Sequence, residues 1–183
     1  MALTATIHKA ELSISDMDRN YYATHVLTLA RHPSETEERL MVRLLAFALH
    51  ADDRLEFGKG VSDDEPALWR HGYSDELEQW IELGQPDPTR IRKACGRAQQ
   101  VEVITYAGHA ADVWWDKVGA SLARNDNLTV LDIDEATVRA LVALCDRSMR
   151  LQCLIQDGEL QLISGTSTLA VRPRLRMGEY AAA

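Results

Sequence analysis

The sequence predicts an α/β protein: a mixed β-sheet with flanking helices and a β-hairpin at each end, in a single domain over residues 1–183. Three observations carry this. Two-residue alternation marks both ends of the chain, in "TATIHKAELSIS" and "LQCLIQDGELQLIS". Between them, short apolar runs alternate with capped helical segments, the pattern of strands joined through helices. At 183 residues, with 46% hydrophobic and 26% charged residues, the chain is long enough for one well-buried core and globular in composition.

The elements follow in order. "TATIHKAELSIS" and the β-branched, aromatic "YYATHVLTLA" form a hairpin across "DMDRN". "HPSETEERLMVRLLAFALHAD" is the clearest helix, with Ser34 as N-cap, Glu37 completing a capping box, and apolar residues dominating from Leu40 to Leu49. "RLEFG" is a short strand, and another falls around Ala67 to Arg70. The apolar run from Trp80 to Leu83 is a strand carrying Glu82, expected inside the sheet between Leu55–Phe57 and Val101–Tyr106. Asp87 and Pro88 start a helix as N-cap and first-turn proline and carry it to about Gln100. "VEVITYAG", "AADVWWDKVGASLA", "LTVLDID" and "EATVRALVALCDR" read as strand, helix, strand and helix. The closing hairpin turns at Asp157-Gly158, with "STLAVRPRLRM" as a third strand.

A formal net charge of −8 counts against a protein that coats nucleic acid nonspecifically, because such binding must neutralise phosphates; a local basic patch is still compatible with it. Cys95, Cys145 and Cys153 are odd in number and lack CxxC spacing, so they read as ordinary thiols in a reducing compartment. No charged segment followed by an apolar core opens the chain and no apolar run has the length of a membrane span, so a soluble, cytoplasmic protein without membrane contact is expected. The six histidines show neither HxxxH nor HxH spacing, and no GxSxG elbow or Walker loop is present.

Four places can carry chemistry. In the Glu82 strand, alternation puts Glu82 beside Trp80, so its carboxylate is either paired or functional. On the long helix, Arg39, Arg43 and His50 share one polar stripe, while Glu38 projects toward the side of Leu45 and Leu49. Glu38 is then either a buried-side carboxylate needing a cation or a first-turn acid complementing the helix dipole. Asp63, Asp64 and Glu65 precede Pro66 and are either a solvated loop or oxygen ligands that meet Glu82 and suit Mg²⁺. After Glu82 come Arg90, Arg92, Lys93 and Arg97, with Lys93 directed away from the Ile91 and Ala94 stripe; these are exposed cations, or they hold a phosphate near the acids.

"LTLARHPSETEERLMVRLLAFAL", "DDEPALW", "WIELGQPDPTRIRKACGRA" and "LQCLIQDGELQLIS", in this order over nearly the whole chain, strongly resemble the YaeQ family. That family is similar in fold to the PD-(D/E)XK nucleases, so the resemblance implies a restriction-endonuclease-like core and a Mg²⁺- or Mn²⁺-dependent nuclease or phosphodiesterase acting on nucleic acid. By the same resemblance the metal ligands are Glu38, Asp64 or Glu65, and Glu82. Two departures stand out. Pro66 is followed by Ala67 rather than an acid, and Gly84 occupies the lysine position of the ExK tripeptide, so Lys93 is its expected substitute, or else Gln85 takes a weaker part. The rival reading is a nuclease-like module without catalysis that binds nucleic acid or a protein partner.

Overall fold

A computed structural model describes residues 4–59 and 64–179. The chain begins with β1 (Thr6–Asp16), β2 (Tyr21–Arg31) and α1 (Glu37–Leu49). It continues through β3 (Leu55–Phe57), β4 (Leu68–His71), β5 (Leu77–Leu83), α2 (Pro88–Arg97), β6 (Gln100–Thr105), α3 (His109–Leu122) and β7 (Leu128–Asp132). It closes with α4 (Glu135–Ala143), β8 (Ser148–Gln156), β9 (Glu159–Ser164), β10 (Ser167–Val171) and β11 (Arg174–Met177). The fold is mixed α/β with two mixed sheets rather than the one that the sequence predicts. Among the described residues no helix is long and apolar enough to cross a membrane.

Among the described residues two compact units divide the chain, one formed by residues 4–49 with Ala136–Arg172, the other by His50–Glu135 with residues 173–179. In the first, the terminal hairpins are not peripheral additions. They join into a five-stranded sheet, β10-β9-β8-β1-β2, because β1 pairs in parallel with β8. Alternation in β1 buries Ala10, Leu12 and Ile14, and the β8–β9 turn uses positive φ at Asp157 and Gly158 as expected. Every residue of α1 from Leu40 to Leu49 is buried. The N-cap differs from the expected Ser34. Its hydroxyl is engaged by His32 Nδ1 at 2.6 Å, and Thr36 Oγ1 instead accepts from Arg39 N at 3.1 Å. Of the two readings of Glu38, the first-turn acid at the helix N-terminus is the one found. A helix buried all round has no polar face to define a phase, and Glu38 sits exposed in the first turn. The buried polar group is Arg43, whose guanidinium meets Glu35 at 3.0 Å.

The second unit holds the six-stranded sheet β11-β7-β6-β5-β4-β3. β5, β6 and β7 run parallel and are joined through α2 and α3, while β4 and β11 flank them antiparallel. Trp80, Val101, Val103, Leu128 and Val130 pack on Ile91, Ala94, Ala98 and Leu122, so both helices cover one sheet face. Trp114 and Trp115 pack against this cluster, the amphipathic role that the sequence suggests. β5 does lie inside the sheet, but its neighbours are β6 and β4, with β3 one strand further out. α2 ends at Arg97, before the expected Gln100, which already pairs in β6. "STLAVRPRLRM" is two strands in different sheets. Pro173 separates them, since it lacks the N–H that a ladder uses.

β11 is held to the sheet by charge. Arg176 meets Asp112 of α3 at 2.7 Å and Asp132 at 3.0 Å, and Arg174 meets Asp112 at 2.9 Å. Hydrogen bonds from Arg176, then from Arg174, hold the Asp112 carboxyl below its ordinary value. Its folded pKa being lower than the unfolded value of about 3.9, the pairing contributes fully above that pH and is lost as pH falls through the folded pKa. Protection of the β11 amides against hydrogen exchange is therefore expected to persist to about pH 4 and fall below it. Asp112→Asn should lower that protection already at neutral pH; unchanged protection would exclude Asp112 as the clamp.

Candidate functional site

Glu82 is 7% exposed in the centre of the six-stranded sheet, on the face covered by α2. Burial of a carboxylate demands compensation. Two donors supply it: Trp80 Nε1 at 2.8 Å and Arg90 Nε at 2.7 Å, both onto Oε1. Arg90 is placed by the local sequence. Asp87 caps α2 by accepting from Thr89 N at 2.7 Å, Pro88 fixes the first turn, and Ile91 and Ala94 face the sheet, so Arg90 flanks the end of β5. Arg90 Nη2 also donates to the Glu65 carbonyl at 2.8 Å, tying the loop before β4 to α2.

Beside this pair opens a cleft of about 700 Å³, lined by Asp64, Trp80, Thr89, Arg90, Lys93 and Arg97 among others. Arg97 lies with its Cζ 5.0 Å from the Trp80 ring centroid, a cation–π contact. Lys93 is exposed and lines the cleft, as does Asp64. Glu65 belongs to the same loop, and its Oε2 accepts from Lys59 N at 2.7 Å. Glu38 belongs to the first unit, and Asp63 lies outside the described residues. Gln85 is exposed just beyond β5. Gly84, at the ExK lysine position, has φ +88°, a conformation that L side chains rarely adopt, and its N–H closes onto Ile104 O at 2.8 Å. A lysine there would strain the strand end, which accounts for the glycine.

For a divalent cation, the donor set has a definite character. Among the described residues no three His, Cys, Asp or Glu side chains form a group that could hold a metal ion. Both donors engage Glu82 Oε1, so a metal ion at that oxygen requires Arg90 to withdraw. The three cysteines are free thiols, with burial pushing Cys95 up to about 11 and Cys153 up to about 12, far from thiolate reactivity at neutral pH. On the other face of the sheet, Glu102 of β6 is 7% exposed and meets His50 Nε2 at 2.6 Å, while Gln79 Nε2 lies 3.0 Å from His50 Nδ1.

Comparison with known proteins places this arrangement. Residues 1–173 match the family described as YaeQ protein. The chain belongs to the YaeQ family. It is 45% identical to the YaeQ protein of Escherichia coli (strain K12) over 172 residues, 93% of this chain and 95% of that one. The YaeQ protein of Salmonella typhi is 44% identical over 173 residues, 94% and 96% of the two chains. Among solved structures, the YaeQ protein from Xanthomonas axonopodis pv. citri superposes with a TM-score of 0.92 at 54% identity, covering 96% of this chain and 100% of that chain. The YaeQ protein from Pseudomonas syringae gives 0.91 at 33% identity, covering 96% and 97%.

In this YaeQ-family chain, reading the sequence located Glu82 and the α2 cations but missed how they connect. The partner of Glu82 is Arg90, eight residues on. The signal was present: Asp87-Pro88 fixes the helix start, and a residue in its first turn stays beside the strand it follows. Glu102 was missed although "VEVIT" places it between two valines as plainly as Glu82 sits between Ile81 and Leu83.

Proposed function

We propose that the cleft along α2 holds a phosphodiester strand of nucleic acid, in a protein built on a restriction-endonuclease-like core of the PD-(D/E)XK kind. The supporting observation is the row of Arg90, Lys93 and Arg97 at spacings of three and four residues on one side of α2, all lining one cleft. At 1.5 Å per residue the row is about 10 Å long, which spans about two successive phosphates of a strand and exceeds a single phosphate ion. Arg97, beside the Trp80 ring, presents a planar fork suited to phosphate oxygens. The chain's charge of −8 confines attraction to this face, so binding is weak at physiological salt and strongly salt-dependent. The three free thiols suit a reducing, cytoplasmic setting.

A second reading, metal-dependent hydrolysis, is favoured by Asp64 lining the same cleft as Arg90, the partner of Glu82. There Asp64 and Glu82 would hold Mg²⁺ or Mn²⁺ once Arg90 turns to a phosphate, and the ion would supply activation of water. One experiment separates the readings. Labelled single-stranded DNA, duplex DNA and RNA are titrated by fluorescence anisotropy between about 50 and 200 mM salt, with and without Mn²⁺, and the same samples are run on denaturing gels. Arg97→Ala and Lys93→Ala are each expected to weaken binding evenly across sequences and lower the salt slope by about 1. Wild type that binds none of the three at low salt overturns the proposal. Cleavage abolished by Asp64→Asn and Glu82→Gln favours the hydrolase; intact binding without cleavage favours the binding module.

A further inference from the structure

We propose that β2 is a self-association edge through which two copies of this chain join their five-stranded sheets antiparallel across a two-fold axis at Val26. The four strands that end the two sheets differ sharply among the described residues. β10, β11 and β3 have 5, 4 and 3 residues, and β11 also carries a register shift and two arginines. β2 has 11, paired to β1 without a bulge from Arg31 to Tyr21. Short length, charge and bulges are how sheets blunt their edges, and of these β2 has only one charge, Arg31 at its last position. From Tyr21 to Ala30 it contains no Lys, Arg, Asp, Glu or Pro. Its outward side chains are Tyr22, Thr24, Val26, Thr28 and Ala30, with Tyr22 60% and Val26 77% exposed.

The strand itself points to a second copy as the occupant. Val26 is the middle residue of Tyr21–Arg31, so a two-fold through it matches the strands end to end. Thr24 then faces Thr28, Tyr22 faces Ala30 and Val26 faces itself, all uncharged, β-compatible pairs. Arg31, the one charged residue, falls opposite Tyr21 of the other copy, so no like charges meet. The edge is about 36 Å long, and its ladder supplies about ten backbone hydrogen bonds, the number an ordinary protein interface carries. The Ala30 carbonyl already accepts from Arg43 Nη2 at 3.2 Å, which steadies the strand end and leaves that oxygen its second lone pair.

Sedimentation velocity of the full chain across the micromolar range tests this. Wild type is expected to shift from monomer to dimer with concentration, with slowed amide exchange in β2. Val26→Lys and Val26→Glu, at an exposed position, are expected to keep the monomer's thermal stability and to weaken dimerisation about tenfold or more by placing like charges face to face. Mixed in equal amounts, they are expected to restore the dimer as Lys meets Glu. Wild type that stays monomeric throughout, or a Val26→Lys chain that dimerises as wild type does, overturns the proposal.

Discussion

Trp80→Ala is expected to destabilise the protein by about 3–5 kcal/mol and to lower its melting temperature by about 10 °C, measured by thermal and urea denaturation. Trp80 is 2% exposed and fills the space between the central strands and the buried Ile91, Ala94 and Ala98. Truncation leaves a cavity whose walls belong to sheet and helix, neither free to collapse. Two further losses follow. The indole N–H no longer reaches Glu82, and Arg97 loses the ring over which it lies. Trp80→Phe separates the contributions in part: it keeps one aromatic ring and removes the donor with a portion of the indole volume, at a smaller cost of about 1–3 kcal/mol. If Trp80→Ala costs no more than Trp80→Phe, packing is not what Trp80 contributes.

Trp80 also indicates which parts of the structure are legible in sequence. Alternation in "WIEL" placed Trp80 and Glu82 on one face, and the Asp87-Pro88 start placed the helix that covers them, because both are local rules acting over a few residues. The capped α2 and the Asp157-Gly158 turn were legible for the same reason. What depends on distant pairing was not. Nothing within β1 or β8 announces that residues 139 apart, such as Lys9 and Ser148, lie side by side, so two hairpins read as decorations rather than as halves of one sheet. The same applies to β11, whose place at the edge of the second sheet depends on Asp112 and Asp132, 62 and 42 residues before Arg174.

The candidate site divides along the same line. Its residue types were legible, since a carboxylate within an apolar strand and cations on the following helix stand out against their neighbours. Its pairing was not, because Arg90 reaches Glu82 through the placement of the first turn of α2 against β5, which no residue pattern states by itself. Positive φ at Gly84 disfavours a lysine at the strand end, and the first turn of α2 delivers a guanidinium to the carboxylate. For Glu38 in α1 helical phase leaves two readings open because that method needs contrast between faces, and ten consecutive buried residues provide none.

Arg90→Met and Glu82→Gln are expected to have unequal costs, although each removes the same ion pair. Glu82 has 9% of its side chain exposed and Arg90 has 27%. Without Arg90, the carboxylate remains in the sheet with only the Trp80 N–H against it, and an unpaired buried charge costs about 3–5 kcal/mol; partial access of water on the Arg90 side brings this to about 2–3. Without the charge on Glu82, the glutamine oxygen still accepts from Trp80, and Arg90 keeps the Glu65 carbonyl and solvent, so the expected cost is about 1 kcal/mol or less. The double variant should recover most of what Arg90→Met loses, giving a coupling of about 2 kcal/mol in a double-mutant cycle by urea denaturation with an unchanged m-value. Equal costs for the two single variants would mean that Glu82 draws its compensation elsewhere. The asymmetry bears on function as well. A Glu82→Gln chain that remains folded and stable converts any loss of nucleic-acid cleavage or binding into a statement about the site, whereas the same loss in Arg90→Met is confounded by the strain left in the sheet.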